Sequence, residues 1–340
     1  MIRWLVALAS VLAVLVLIED YAVERQRQHD ALHGTLRPLA TVSKANVAGI
    51  VAVAGNGRIW RYIRVDSTWR YPAYFDAFVQ PQRIDHLLNS LLQTSASVVS
   101  SESRDMQRYG LLPNSPTLTL RSPSNSTLLS IRLGRGVPDI RSAESYVQLV
   151  GADTIYHLHA NPAHAFDSGD PPMLDLRVRP RILKRKAINR ISFSGYPNLK
   201  TLYREQHEMD ISSMPGAPPS GPIYAWIGAF ADGTRDCVTP SAYAYVSFLD
   251  RLSWSALIDP TSYAEGFDRA LFIIDEDGAV DTLDVGATTG KTTTLRYRTT
   301  GQMFTVPSMK ANLLFPGEDV LLDSLSKPDP YEQVEPYTPF

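Results

Sequence analysis

The sequence predicts an α+β protein: an N-terminal membrane helix followed by two similar units, each a mostly antiparallel sheet packed with a helix. Three observations predict it. The chain starts with a run of apolar residues that has the composition of a membrane segment. Beyond it, short β-rich segments broken by turn residues dominate both halves of the chain. Each half is interrupted by one segment of helical periodicity, opening at Pro81 and at Pro240, and the order of these pieces is the same in both halves.

The apolar run is Trp4 to Ile18, in which Ser10 is the only polar residue, with Arg3 before it and Glu19 and Asp20 directly after. Fifteen helical residues rise about 22 Å against a hydrocarbon core of roughly 30 Å, so the span borrows Ile2 and Tyr21 to Val23. The residues just past the run are not the small ones a signal-peptide cleavage site needs, so an uncleaved anchor over 1–23 is expected. Positive charge on the N-side and acid on the other place the bulk outside the cytoplasm, as a single-pass inner-membrane protein facing the periplasm. Residues 24–46 then read as a polar stalk.

In the first unit, 47–170, the segments 47–54, 58–64 and 67–72 are strand-like, and Gly55-Asn56-Gly57 forms a hairpin turn between the first two. From Pro81 onward (PQRIDHLLNSLLQTSASV), Ile84, Leu87, Leu88, Leu91 and Leu92 recur at helical spacing. Strands resume at 116–121, 127–133, 145–150 and 153–159. The second unit, 188–318, replays this order. Strands over 188–195 and 200–207 and the segment IYAWIG lead to a helix from Pro240, with Tyr245, Phe248, Leu249 and Leu252 on one face. A hairpin on Asp277-Gly278 and the strands TTTLRYRTT and QMFTV follow. Trp69 precedes Pro81 by 12 residues and Trp226 precedes Pro240 by 14, while the comparable later strands end at Gly134 and Gly286. A basic linker, 171–187, joins the units. The tail 319–340, proline-rich toward its end, reads as flexible.

Composition narrows the function. With 44% hydrophobic and 20% charged residues over 340, the chain has the material for two buried cores. A net charge of −2 carries no overall basic footprint, so no nucleic-acid partner is expected. Cys237 is the single cysteine, which rules out an intramolecular disulfide and is most simply a buried thiol.

No chemical motif stands out. Gly286-Ala-Thr-Thr-Gly290-Lys291-Thr292 has three residues between its glycines where a phosphate loop has four, and a β-branched strand follows it, so it reads as a β-turn. His157 and His159 share a strand face and, with His164 and Asp167 or Asp170, could hold a metal; a solvated face with Tyr156 and Leu158 turned inward is the plainer reading. Asp275, Glu276, Asp277, Asp281 and Asp284 cluster around a hairpin without the offsets of a calcium loop and read as a solvated turn. Signatures of the common hydrolases, Gly-x-Ser-x-Gly and His-Glu-x-x-His, do not occur. No catalytic residue, metal or cofactor is therefore assigned. The charge feature that could meet a partner is the basic stretch Arg177, Arg179, Arg181, Lys184, Arg185 and Lys186, against the alternative of a solvated linker.

The order of these pieces resembles the domain of unknown function 4340 family. The residues that carry the resemblance are Trp69, the helical Ile84 to Leu92, Tyr109-Gly110-Leu111, Thr117 to Leu120, Leu133-Gly134, Ser145-Tyr146-Val147 and Ile155-Tyr156. It covers 48–166 closely and 188–315 more loosely, where no Tyr-Gly-Leu occurs. Members of that family are often encoded beside ABC-type transporters of the gliding-motility kind. The resemblance thus implies a non-enzymatic extracytoplasmic accessory protein, a subunit of a transporter or envelope complex, partnered by the membrane and by a transporter or envelope protein. An envelope hydrolase with scattered site residues and a purely structural scaffold are the alternatives.

Overall fold

The computed structural model describes residues 37–136, 144–166, 170–180, 183, 185–207 and 223–322. The expected anchor, most of the stalk, Arg181, Lys184, Asp167 and tail residues 323–340 lie outside these described residues. Among them no helix is long and apolar enough to cross a membrane. The chain divides into two compact units. The first takes the chain up to Arg70 together with Pro81–Met173, and the second takes Tyr71–Gln80 together with Leu174 onward.

In the first unit, β2 (Gly49–Val53) and β3 (Ile59–Val65) form the hairpin expected at Gly55-Asn56-Gly57, and β4 (Thr68–Tyr71) extends it. The turn closes through Ala54 N donating to Arg58 O (2.8 Å) and Gly57 N donating to Ala54 O (2.9 Å). Gly57 sits at φ +82°, a region that favours glycine. Before this hairpin, the two-residue β1 (Arg37–Pro38) and a 3-10 turn at Lys44–Asn46, capped by the Ser43 hydroxyl, carry the chain into the sheet.

The helix Pro81–Leu92 buries Ile84, Leu87, Leu88, Leu91 and Leu92, the residues that its 3.6-residue periodicity selects. It stops six residues short of the expected end at Val98. Ser95–Ser100 is instead strand β6, because the apolar spacing lapses after Leu92 and the run QTSASVVS favours extended backbone. Strands β7 (Thr117–Arg121), β8 (Thr127–Gly136), β9 (Ser145–Leu149) and β10 (Ile155–Leu158) complete the sheet. Its order includes the antiparallel run β1-β6-β10-β9-β8-β7-β2-β3-β4. One face of this sheet supplies Ile50, Ala52, Tyr62, Leu118, Leu120, Leu129, Ile131, Leu133 and Val147 to the core.

The second unit begins with β5 (Ala77–Phe78), within the segment Tyr71–Gln80. There Leu257 N donates to the Tyr74 hydroxyl (3.1 Å), Gln302 Nε2 donates to Asp76 O (3.1 Å), and Asp175 N donates to Phe78 O (2.8 Å). The sheet is formed by β11 (Ile188–Ser194), β12 (Leu199–His207), β13 (Ile223–Phe230), β14 (Thr234–Asp236), β15 (Ala256–Ile258), β16 (Phe267–Asp275), β17 (Val280–Thr289), β18 (Thr292–Tyr297) and β19 (Gln302–Pro307). The helix Thr239–Arg251 stands between β14 and β15, and Tyr245, Phe248, Leu249 and Leu252 are buried as expected. Leu321 is fully buried in a short helix, Glu318–Leu322, so the first residues of the expected tail belong to the folded unit.

The second sheet runs β14-β13-β12-β11-β16-β17-β18-β19-β15, antiparallel throughout. Taken from its other edge it reads β15-β19-β18-β17-β16-β11-β12-β13, which is the first unit's β6-β10-β9-β8-β7-β2-β3-β4 strand for strand. In each unit a three-strand meander is followed by the helix and a crossing strand. A four-strand meander then returns to pair with both. The two halves are two copies of one α+β unit.

The sequence landmarks fall on equivalent strands: Trp69 on β4 and Trp226 on β13, Gly134 on β8 and Gly286 on β17. Both glycines are crowded by a tyrosine from the connection that follows the crossing strand. A Cβ on Gly134 would meet Tyr109 O at 2.4 Å, and one on Gly286 would meet the Tyr263 hydroxyl at 2.3 Å. Tyr263 is thus the second unit's counterpart of Tyr109, although no Tyr-Gly-Leu surrounds it.

Candidate functional site

Of the described residues of the basic stretch, Arg179 and Arg185 turn to a buried carboxylate of the second unit. Arg179 is buried (8% exposed), and its Nε and Nη2 donate to Asp281 Oδ2 at 3.3 and 3.2 Å. Arg179 Nη1 also donates to Asp250. Arg185 makes a bidentate pair with the same Asp281, Nε to Oδ2 at 3.1 Å and Nη2 to Oδ1 at 2.6 Å. Arg177 bridges to Ser253 through its backbone, and Lys186, largely exposed, stands 4.0 Å from Asp277. Lys186 presents its charge outward.

This arrangement corrects the reading of the acidic hairpin as a solvated turn for three of its five residues, while Glu276 and Asp277 are exposed as that reading expects. Asp281 and Asp284 on β17 are each 1% exposed and Asp275 is 5% exposed. Asp275 organises the turn, its Oδ1 accepting from Asp277 N (3.0 Å) and Ala279 N (2.9 Å). Asp284 accepts from Arg298 Nη2 (2.7 Å) and Arg296 Nε (2.8 Å). A buried carboxylate is tolerable only when paired and hydrogen-bonded, and arginine's planar fork supplies both. The charges that looked scattered on one hairpin are matched by arginines from other segments.

Burial by itself would raise the Asp281 carboxyl, but Tyr297, Arg185 and Arg179 outweigh it and hold the group below the usual carboxylate range. The Tyr297 hydroxyl, fully buried beside this carboxylate without a well-formed hydrogen bond, is pushed up to about 12 by burial and by Asp281. Asp284 is likewise held low, its arginines overcoming burial. A carboxyl depressed in the folded state stabilises fully above its unfolded value of about 3.9, and the contribution disappears as the pH falls through the lower folded value. Melting temperatures measured from pH 6 to pH 2 are therefore expected to fall steeply only below about pH 4. Asp281→Asn, with Asp284 still in place, should show a shallower acid decline. An equal decline in both proteins would remove Asp281 from the explanation.

Other sequence candidates resolve into structure. The Gly286 to Thr292 segment is the β17–β18 hairpin, with Gly290 at φ +63°, as the missing helix after Lys291 implied. Cys237 is buried, and burial pushes its thiol up to about 11, leaving it protonated at neutral pH.

The histidines do come together, with a different third residue from those named in the sequence. His157 and His159 project from the end of β10 with ring centroids 4.7 Å apart. Glu144, the residue before β9, faces both rings and its carboxylate accepts from them: Oε2 lies 2.8 Å from His157 Nε2 and Oε1 lies 3.0 Å from His159 Nδ1. The side chains are 22%, 37% and 33% exposed for His157, His159 and Glu144. Tyr146 flanks His157 at 5.6 Å and itself packs on Tyr109 at 4.6 Å, forming an aromatic row that ends at the cluster. His164 instead contacts Asn161 (3.3 Å), and Asp170 pairs with Arg58. The inward side of β10 holds Leu158, fully buried, as alternation requires, while Tyr156 is only half-buried.

Glu144 was legible only through register. Tyr146 pairs directly with His157 and Ser145 with Leu158, which sets Glu144 opposite His159. A hairpin centred on Gly151 and Ala152 would have revealed it.

Residues 69–210 match the family model described as Domain of unknown function (DUF4340). The match opens at Trp69, includes the helix from Pro81 and the strands β6 to β10, and reaches into β11 and β12 of the second unit. No curated protein and no solved structure matches the chain.

Proposed function

We infer, from the membership of residues 69–210 in the DUF4340 family, that this chain is a non-enzymatic, membrane-anchored extracytoplasmic accessory protein, an auxiliary subunit of an ABC-type transporter or envelope complex. Support comes from the apolar run at Trp4 to Ile18, which fits an anchor, and from the surface of the first unit. The observation that carries the reading is one exposed sheet face. On β3, Ile59, Ile63 and Val65 are 48%, 39% and 44% exposed, on the opposite face from the buried Tyr62. On the same side, Val53 and Val51 of β2 pair with Ile59 and Arg61. Such apolar residues on a folded sheet support the reading of a surface that another protein covers, since solvated β-strands ordinarily turn polar residues outward. Arg61, between Ile59 and Ile63 on this face, and Arg70, opposite Ile63, add positive charge to it, which fits a partner that brings acidic side chains among apolar ones.

An anchor also confines this face near any membrane partner and raises the effective concentration, so a weak contact is populated. The paired change Ile63→Lys and Val65→Lys should leave the fold and melting temperature within about 0.5 kcal/mol of the parent, as surface substitutions do. Recovery of the cross-linked membrane partner should fall several-fold. Undiminished cross-linking would remove this face from the interface. Lys186→Ala tests the outward charge of the basic stretch without touching the Asp281 pairs.

A further inference from the structure

We propose that Glu144, His157 and His159 form a binding site for a divalent transition-metal ion of the zinc type on the first unit. The donor set decides the class of ion. Two imidazoles and one carboxylate suit zinc and its neighbours cobalt, nickel and copper, whereas calcium and magnesium demand oxygen ligands throughout. Three protein ligands with a fourth position left to solvent is the pattern of open zinc sites.

Geometry brings the donors close to what such an ion needs. One ligand atom from each residue lies within 4.8 Å of the others. Tetrahedral coordination at zinc–nitrogen distances of about 2.0 Å sets ligand atoms about 3.3 Å apart. The Glu144 oxygens at 2.8 and 3.0 Å from the two rings must open by a few tenths of an ångström, and ligand atoms that stand as far as 4.8 Å apart must close by up to about 1.5 Å, a movement within reach of side-chain rotation. The sheet places all three: His157 is in the β9–β10 ladder opposite Tyr146, whose ring packs beside it, while Glu144 and His159 each lie one residue beyond that ladder, and His159 N donates to Ser95 O (3.3 Å). The partial exposure of all three side chains leaves an entry path, so no buried channel is required.

In the metal-free state the carboxylate accepts hydrogen bonds from the rings, so the nitrogens that face it carry protons. Binding requires each of these nitrogens to be free of its proton, by a tautomer shift in a neutral ring or by release to solvent from a charged one. The ion then replaces two hydrogen bonds with two nitrogen bonds and one oxygen bond, and affinity falls as the pH is lowered. The site is independent of the partner reading: it stands or fails on the first unit alone.

The test titrates zinc into the full, untagged chain by calorimetry and follows cobalt by its visible d–d absorption. One ion per chain is expected. His157→Gln, His159→Gln and Glu144→Gln keep polar groups at these positions but give up the ligand. Each should weaken binding at least about 10–100-fold, the loss that even an outer-shell partner causes, with an unchanged metal-free melting temperature. Zinc should raise the melting temperature of the parent and not that of the double histidine variant. Equal affinity in the parent and in the folded double variant would overturn the proposal, as would the absence of cobalt absorption and binding heat in the parent.

Discussion

Asp281→Ala should lower the stability of the protein by about 3–5 kcal/mol, the effect of removing one partner from a buried ion pair. The cost does not lie in the lost attraction alone. Asp281 is 1% exposed and receives Arg179, Arg185 and the Thr299 hydroxyl, so its removal leaves the Arg179 guanidinium, 7% exposed, with two of its three donating nitrogens unpaired and only the more exposed Asp250 as a carboxylate partner. Arg185, 26% exposed, can turn toward water and loses less. Exchanging the pair together, Asp281→Leu with Arg179→Met, should recover part of the loss, because the buried guanidinium is removed along with the carboxylate that took two of its donors. Chemical denaturation of the three proteins decides it. A loss under about 1 kcal/mol in Asp281→Ala would mean that the pair is solvated in the way surface salt bridges are.

The second large effect comes from the two equivalent glycines, which should respond differently to the same substitution. Gly134→Ala drives a methyl group into Tyr109 O and Tyr146 O, at 2.4 and 2.9 Å, both backbone atoms that cannot swing aside. Gly286→Ala meets the Tyr263 hydroxyl, the far end of a side chain, with the adjacent ring carbon already at 3.3 Å. Overpacking costs roughly 1–3 kcal/mol and sometimes more, so Gly134→Ala is expected at or above the upper end and Gly286→Ala near the lower. Tyr263→Phe placed on Gly286→Ala should restore most of the loss, since it deletes the atom in conflict. If the double variant is no better than Gly286→Ala, the crowding at Gly286 has another source.

The repeat was readable in the sequence because its signals are local. Prolines opening each helix, a glycine turn in each hairpin and tryptophans on equivalent strands keep their spacing wherever the sheets lie. The crossing strands β6 and β15 were not readable: they are short, lack a clean alternation and follow helices whose polar ends run on without a stop signal. For the same reason the pairing of β6 with β10, which closes the first sheet, could not be inferred. Charge was misjudged in a different way. Asp281 and Asp284 sit beside a turn, where exposure is the ordinary expectation, and the arginines that make their burial tolerable are as many as 102 residues distant in sequence, as Arg179 is from Asp281. Glu144 was missed for the same cause, since a carboxylate 13 residues from His157 joins it only through strand register. His157 and His159, on one face of one strand, needed no register to be placed side by side.

The accessory reading is tested most directly by gentle detergent extraction of the full chain from its native membrane, with a photo-activated cross-linking residue at Ile63. The account predicts a stoichiometric complex with a multi-spanning permease, cross-linked at Ile63 and lost in Ile63→Lys, Val65→Lys. A chain that emerges alone under conditions that keep known permease complexes intact, with no protein cross-linked at Ile63, would contradict it.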